Sequence, residues 1–278
     1  GIWRGQLTTK SGVTYSAYGE GDKPKLYNSV QAADPELWIE TDMENVYEYA
    51  ETFPFSNEPG NIIFNEGEAC GIKKIVGEYE YYKERGLELE KFTGVKDLDE
   101  NLEFYHHIPT GKLYLYCEEG NPGELYSSIE IALRQTIIKN QSANNVTIDN
   151  LCIKYTGSHG IGSWTCNDLT VTNCEFGWIG GSIQAEATPY YRFGNAIEIY
   201  GGCDGYTVRN CYIHQIYDAG VTHQLDATED TLMNNINYVN NLFEYCTYSI
   251  EYWLDKKSGS SPKLLMSNII IKDNISRF

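Results

Sequence analysis

The feature that most constrains this chain is a repeat in its second half. VTIDNLCI (146–153), LTVTNCEF (169–176), YTVRNCYI (206–213), INYVNNLF (236–243) and IIIKDNIS (269–276) line up. Each is a short alternating run, then Asn or Asp, then an apolar pair. The aligned polar residues are Asn150, Asn173, Asn210, Asn240 and Asp273, spaced by 23, 37, 30 and 33 residues. A basic period in the low twenties, lengthened by variable insertions, marks a parallel β-helix. Successive coils then lie ~4.8 Å apart, so the asparagines stack at one tight bend. Leu151, Cys174 and Cys211, which follow them, stack inside the coil. Parallel crossovers are right-handed, which gives the solenoid its hand.

Each repeat holds a second β run: HGIGSW (159–164), NAIEIYGG (195–202), DAGVTHQ (218–224) and SIEYWLD (249–255). Long insertions, SIQAEATPYYRFG (182–194) and LDKKSGSSPKLLM (254–266), fall between or after the runs. Insertions on a solenoid usually build its binding cleft. Residues 1–33 read as N-terminal coils. From 34 to 127 the Asn pattern is absent, and runs such as GNIIFN and KLYLYC alternate with turn signals. That stretch reads as an inserted β-sandwich-like domain, after which 128–278 returns to the coils. The fold class is therefore all-β: a right-handed parallel β-helix with an inserted β-sandwich-like domain. Both ends read as cuts within a longer natural chain, the coils continuing past Phe278.

Charge narrows the function classes. Lys plus Arg number 21 against 39 Asp plus Glu, a formal charge of −18. Nucleic acids and anionic membrane surfaces are bound through an excess of Lys and Arg, so neither is an expected partner. No apolar run is long enough to span a bilayer. The eight cysteines form no CxxC pair and no zinc spacing. They read as buried free thiols, which leans towards a reducing, cytoplasmic setting. No metal or other cofactor is expected, and a homo-oligomer is left open.

Particular strings resemble a known family. GNIIFNEGEACGIKK, TGKLYLYCEEGNP, NNVTIDNLCIKYTGSHGIG, YRFGNAIEIYGG and IYDAGVTHQ look like segments of the β-helix glycoside hydrolases. The likeness is to the β-xylosidase-type family, in which a β-sandwich interrupts the right-handed helix. It implies a carbohydrate substrate, a neutral or weakly charged plant-type oligosaccharide with a xyloside as first guess. Polysaccharide lyases, uronate epimerases and non-catalytic glycan-binding β-helices share the scaffold and remain alternatives. A lyase needs a Lys or Arg beside the uronate; Lys154, Arg192 and Arg209 are the candidates.

Glycoside hydrolysis needs two carboxyl groups flanking the bond. Glu198, Asp218 and Glu251 sit in the second β runs of successive coils. Taking Ile197, Val221 and Ile250 as inward puts Glu198 and Glu251 on the outer face. Asp218 is expected as nucleophile or base, Glu251 as acid, and Glu198 as a third, tuning carboxylate. Neighbouring rings would raise the pKa of such an acid. Expected substrate contacts are His223, Gln224, Arg192, Tyr191, Trp253 and His159. Trp164, Trp178 and Tyr190 are further candidate stacking platforms. The inserted domain is expected to bring Gly60–Gly67 or Gly71–Lys74 to the cleft.

Overall fold

A computed structural model describes residues 1–278. The repeats form a parallel β-helix with three faces. On the first face, Thr14–Ser16, Val146–Asp149, Cys166–Thr172, Cys203–Arg209, Thr231–Val239 and Leu264–Lys272 make a six-stranded parallel sheet. The second and third faces share one eleven-stranded parallel sheet. They are joined because Tyr212–Ala227 and Leu242–Lys256 each run unbroken across both faces. On the third face Ile161, Ile197, Val221 and Ile250 lie in register. No helix is long and apolar enough to cross a membrane.

The alternation of each run fills the coil. Ile148, Val171, Val208 and Tyr238 point inward from the first face, and Ile153, Phe176, Ile213 and Phe243 from the second. Leu151, Cys174 and Cys211 are buried at the bend as expected, followed on the next coils by Asn241 and Asn274. All eight cysteines are free, and only Cys70 is exposed.

The bends explain the repeat. Asn150, Asn173, Asn210, Asn240 and Asp273 all adopt the left-handed conformation, with φ of 54 to 56°. Only Gly, Asn and Asp do so cheaply. Five residues earlier in each coil, Asn145, Asp168, Gly205, Asn235 and Asn268 do the same and mark the start of the first face. The ladder itself is present: Asn210 Nδ2 donates to Asn173 Oδ1 at 3.3 Å, and Asn240 Nδ2 to Asn210 Oδ1 at 2.9 Å. Its amides are largely solvent-exposed. Asn210→Leu will therefore destabilise by about 1–2 kcal/mol through backbone strain, not through buried unpaired amides. The buried amide is Asn241. It accepts from Cys211 N–H at 3.0 Å and donates to Val208 O at 3.0 Å. Asn241→Leu should be the costlier change, about 1–3 kcal/mol for each partner left unsatisfied. Urea unfolding of the two variants measures the difference; a smaller loss for Asn241→Leu would contradict this division.

The chain leaves the helix after Lys25–Tyr27, at the corner between the second and third faces, and re-enters at Ile138–Asn140. Between them a mostly antiparallel five-stranded sheet (Trp38–Glu40, Val46–Tyr49, Ile72–Lys73, Glu103–His107, Lys112–Tyr116) faces a four-stranded one. The latter contains Ser29–Gln31 and Ile129–Leu133, so the antiparallel unit extends past 34–127 at both ends. Trp38, Tyr49, Ile62, Phe64, Phe104, Leu115 and Ile131 fill the core of this unit.

This unit is fastened to the helix by buried polar groups. Glu58 and Lys73 form a buried ion pair. Glu58 Oε2 accepts from Ile183 N–H at 2.9 Å, and Lys73 donates to Pro59 O at 2.7 Å and Gly181 O at 3.2 Å. Burial pulls the Lys73 amine down to about 8, with Glu58 opposing the shift. Gly60 lies so close to Gly157 and Ser182 that a Cβ would stand 2.5 Å from Gly157 Cα.

Candidate active site

The third face is flanked on both sides by insertions, so it forms the floor of a groove. On one side are the antiparallel unit and the hairpin Ser182–Ala185/Thr188–Phe193. On the other are the loops 228–230 and 257–263, beyond the ends of the two long strands.

Along the floor, outward positions fall into rows. One row is Lys139, Gly162, Glu198, Thr222 and Glu251, in strict register. Glu198 and Glu251 are thus two coils apart, about 9.6 Å at the ~4.8 Å strand spacing. Thr222, on the coil between them, is fully buried and its hydroxyl has no partner. The next row holds Tyr200, Gln224 and Trp253, with Trp164 beside Tyr200.

Asp218 enters from the corner. Two small residues behind it let the strand turn there: Ala219 is fully buried, and a Cβ on Gly220 would stand 2.7 Å from the Phe243 ring. Burial raises the Asp218 carboxyl above its ordinary range, His159 opposes this, and the charge of Glu198 adds to it. Glu251 is raised by burial first, then by Asp218 and Glu198. The charges of the three carboxylates therefore act on one another.

Asn195, three residues before Glu198 and itself buried, ties these parts together. Its Oδ1 accepts from Ala219 N–H at 2.8 Å, so its Nδ2 must be the atom facing Glu198, to whose Oε2 it donates at 2.6 Å. Its own backbone N–H donates to His159 Nδ1 at 3.1 Å. That nitrogen carries no proton when it accepts this bond, although it lies 3.4 Å from Glu198 Oε2.

The remaining candidates divide. Trp253 Nε1 donates to Gln224 Oε1 at 2.7 Å, so Gln224 orients an aromatic on the floor. Tyr200 lies between Trp164 and Trp253, with ring centroids 6.1 and 6.4 Å away. His159 packs edge-on against Phe193, a wall residue not anticipated from sequence. Arg192 donates to Gly181 O at 2.8 Å and lies over the Tyr217 ring, leaving it beside the groove. Tyr191 is exposed and clusters with Tyr81 and Tyr190 where the antiparallel unit meets the hairpin. His223 does not belong to the groove. It points into the coil, fully buried, bonded to Tyr238 Oη at 2.7 Å and stacked on Tyr252, because its parity matches the inward Ile199. Trp178 packs at Gly67 of the antiparallel unit. Gly60 packs on Gly157 and Ser182, Gly67 on Trp178, and Lys73 reaches Gly181, so these strings meet the coils at the hairpin and at Trp178.

Lys154 pairs with Glu175 at 2.5 Å on the second face. Arg209 lies on the first face, near Thr172. Neither faces the carboxylate groove. No three His, Cys, Asp or Glu side chains converge as a metal site.

Fold and site together define a class: a parallel β-helix interrupted by a two-sheet β unit, with an outer-face groove lined by acids and rings. No family model and no curated protein matches the chain. A solved structure of a glycoside hydrolase is similar over 99% of this chain and 88% of its own, at 10% identity and a TM-score of 0.39. Similarity at that level carries no argument about activity.

Proposed function

We propose that the chain is a glycoside hydrolase whose groove takes a neutral or weakly charged plant-type oligosaccharide. The observation that carries this is the pair Glu198 and Glu251, in register two coils apart on one groove floor. Opposed carboxylates about 6.5–9.5 Å apart leave room for a water between base and sugar, the arrangement of an inverting hydrolase. The strand spacing puts the pair just above that range, and flexible Glu side chains close the difference.

Glu198, oriented by Asn195, is the base that takes a proton from the attacking water. Asp218 shares that water. Glu251, raised by burial and by both neighbours, keeps its proton and delivers it to the leaving oxygen. These roles exchange those expected of Asp218 and Glu198 from sequence, because the Asn195 donor became visible only in three dimensions. Trp164, Tyr200 and Trp253 offer ring surfaces to sugar CH faces. Xylosides are the first substrates to try, on the strength of the sequence resemblance.

The products test the reading. Hydrolysis releases reducing ends without ultraviolet absorbance, a lyase releases an absorbing unsaturated uronate, and a glycan binder releases neither. Absorbing product, or none from a broad panel of xylo- and gluco-oligosaccharides, would sink the proposal.

The raised carboxyls also set a pH dependence. A carboxyl whose folded pKa lies above its unfolded value binds more protons when folded, so stability falls as pH rises through that window. Asp218→Asn should therefore raise the melting temperature at pH 7, and the gain should vanish below the ordinary Asp pKa. A variant less stable than the wild type at pH 7 would contradict the burial assigned to Asp218.

A further inference from the structure

Thr222 stands in the outer row between Glu198 and Glu251. Its strand pairs it with the first across one edge and with the second across the other. Val221 and His223 on either side point into the coil, so alternation sends the Thr222 side chain to the floor. The residue is nevertheless fully buried. Of the buried side-chain polar atoms without a partner, its hydroxyl alone lies in the row of carboxylates. A buried hydroxyl left unpaired lowers stability, whereas valine would suit the same strand position without that loss. Packing therefore does not call for threonine here.

The two carboxyls are its natural partners. A hydroxyl carries one donor and can accept in return. As acid, Glu251 has a hydrogen to offer; as base, Glu198 has oxygens to accept one. At the ~4.8 Å coil spacing each glutamate is long enough to bend onto the coil between them. Glu198 gives Oε2 to Asn195 Nδ2, which leaves Oε1 for this bond. Two carboxyl groups bonded to one oxygen from opposite sides stand up to about 7 Å apart, inside the separation of an inverting pair.

We infer that Thr222 is a positioning residue for the hydrolysis: Glu251 donates its hydrogen to Thr222 Oγ1, and Thr222 Oγ1–H donates to Glu198 Oε1. Its purpose rests on the hydrolase reading, although the hydrogen bonds themselves can be observed without turnover. The bridge draws both carboxyls over the middle coil and holds the hydrogen on the Glu251 side. Other titratable groups face the pair: Asp218 from the strand of Thr222, and His159, Lys139 and Tyr200 around Glu198. None of them bonds the hydroxyl.

Thr222→Val removes the hydroxyl and keeps the shape; Thr222→Ser keeps the hydroxyl. The Glu251 carboxyl is followed in the free protein by carbon NMR of labelled glutamate, its signal assigned by its loss in Glu251→Gln. In Thr222→Val its titration should move down by about 0.5–1 pH unit, because the acceptor for its hydrogen is gone. Thr222→Ser should titrate with the wild type. The sign separates the bridge from packing. A more apolar neighbour by itself raises a carboxyl, so a merely structural Thr222 gives no shift or an upward one. In turnover, the alkaline limb of kcat/KM should move down by the same amount in Thr222→Val and return in Thr222→Ser. Melting temperatures give a second readout: valine should be the less stable variant, since two hydrogen bonds are lost. An unshifted or upward titration, or a valine variant more stable than the wild type, would overturn the inference. Failure of the unmutated protein to hydrolyse any glycoside would instead overturn the functional reading, and the carboxyl titration would still decide the bridge.

Discussion

Glu251→Gln will lower kcat/KM by about 10²–10⁴-fold on an oligosaccharide with a poor leaving group, and far less on an activated aryl glycoside. The difference between the two substrates identifies an acid, because a good leaving group departs without a proton. The variant should also lose the alkaline limb of the pH profile. In the wild type, activity falls as pH rises through the raised pKa of Glu251, since the acid must be protonated to act. Glu198→Gln should lose activity on both substrates alike, because an activated leaving group does not replace the base. An amide at either outer-row position is nearly isosteric and should leave the coil folded. Equal losses on both substrates for Glu251→Gln would remove it as the acid.

The largest stability effect should come from the seam between the antiparallel unit and the helix. Glu58→Ala leaves the buried Lys73 amine without its counter-charge, so that it must stay charged in a dry site or give up its proton, and strips the partner from Ile183 N–H. Breaking a buried pair from one side costs about 3–5 kcal/mol. The double variant Glu58→Leu/Lys73→Met should recover much of that loss, because the desolvation cost of both charges disappears. Since Lys73 also donates to Pro59 O and Gly181 O, recovery should be incomplete. Chemical unfolding of the single and double variants measures both numbers. A single variant within about 0.5 kcal/mol of the wild type, the range of an ordinary surface change, would mean that the seam does not hold the two parts together.

Much of this was legible in the amino acids. The Asn row shows because left-handed bends admit few residue types, and inward parity shows because strands alternate. A second row, Asn145, Asp168, Gly205, Asn235 and Asn268, was equally legible and follows the same chemistry. A third left-handed row was not: Tyr155, Trp178, Gln215 and Tyr245 are not residue types that favour that conformation, so nothing local announces them. The three carboxylates could be placed on one face by parity. The role of Asn195 could not, because it depends on a backbone N–H from the following coil. His223 was misplaced for a plainer reason. Its parity matches the inward Val221 two residues earlier, and its polar ring is satisfied inside the coil by Tyr238.

The anomeric configuration of the first-formed product, followed by proton NMR before mutarotation, tests the central claim most directly. Two carboxylates two coils apart on one groove floor should give inversion, with the new hydroxyl opposite in configuration to the bond cleaved. Retention would require a nucleophile about 5–5.5 Å from the acid and would contradict the Glu198–Glu251 pair as the catalytic one.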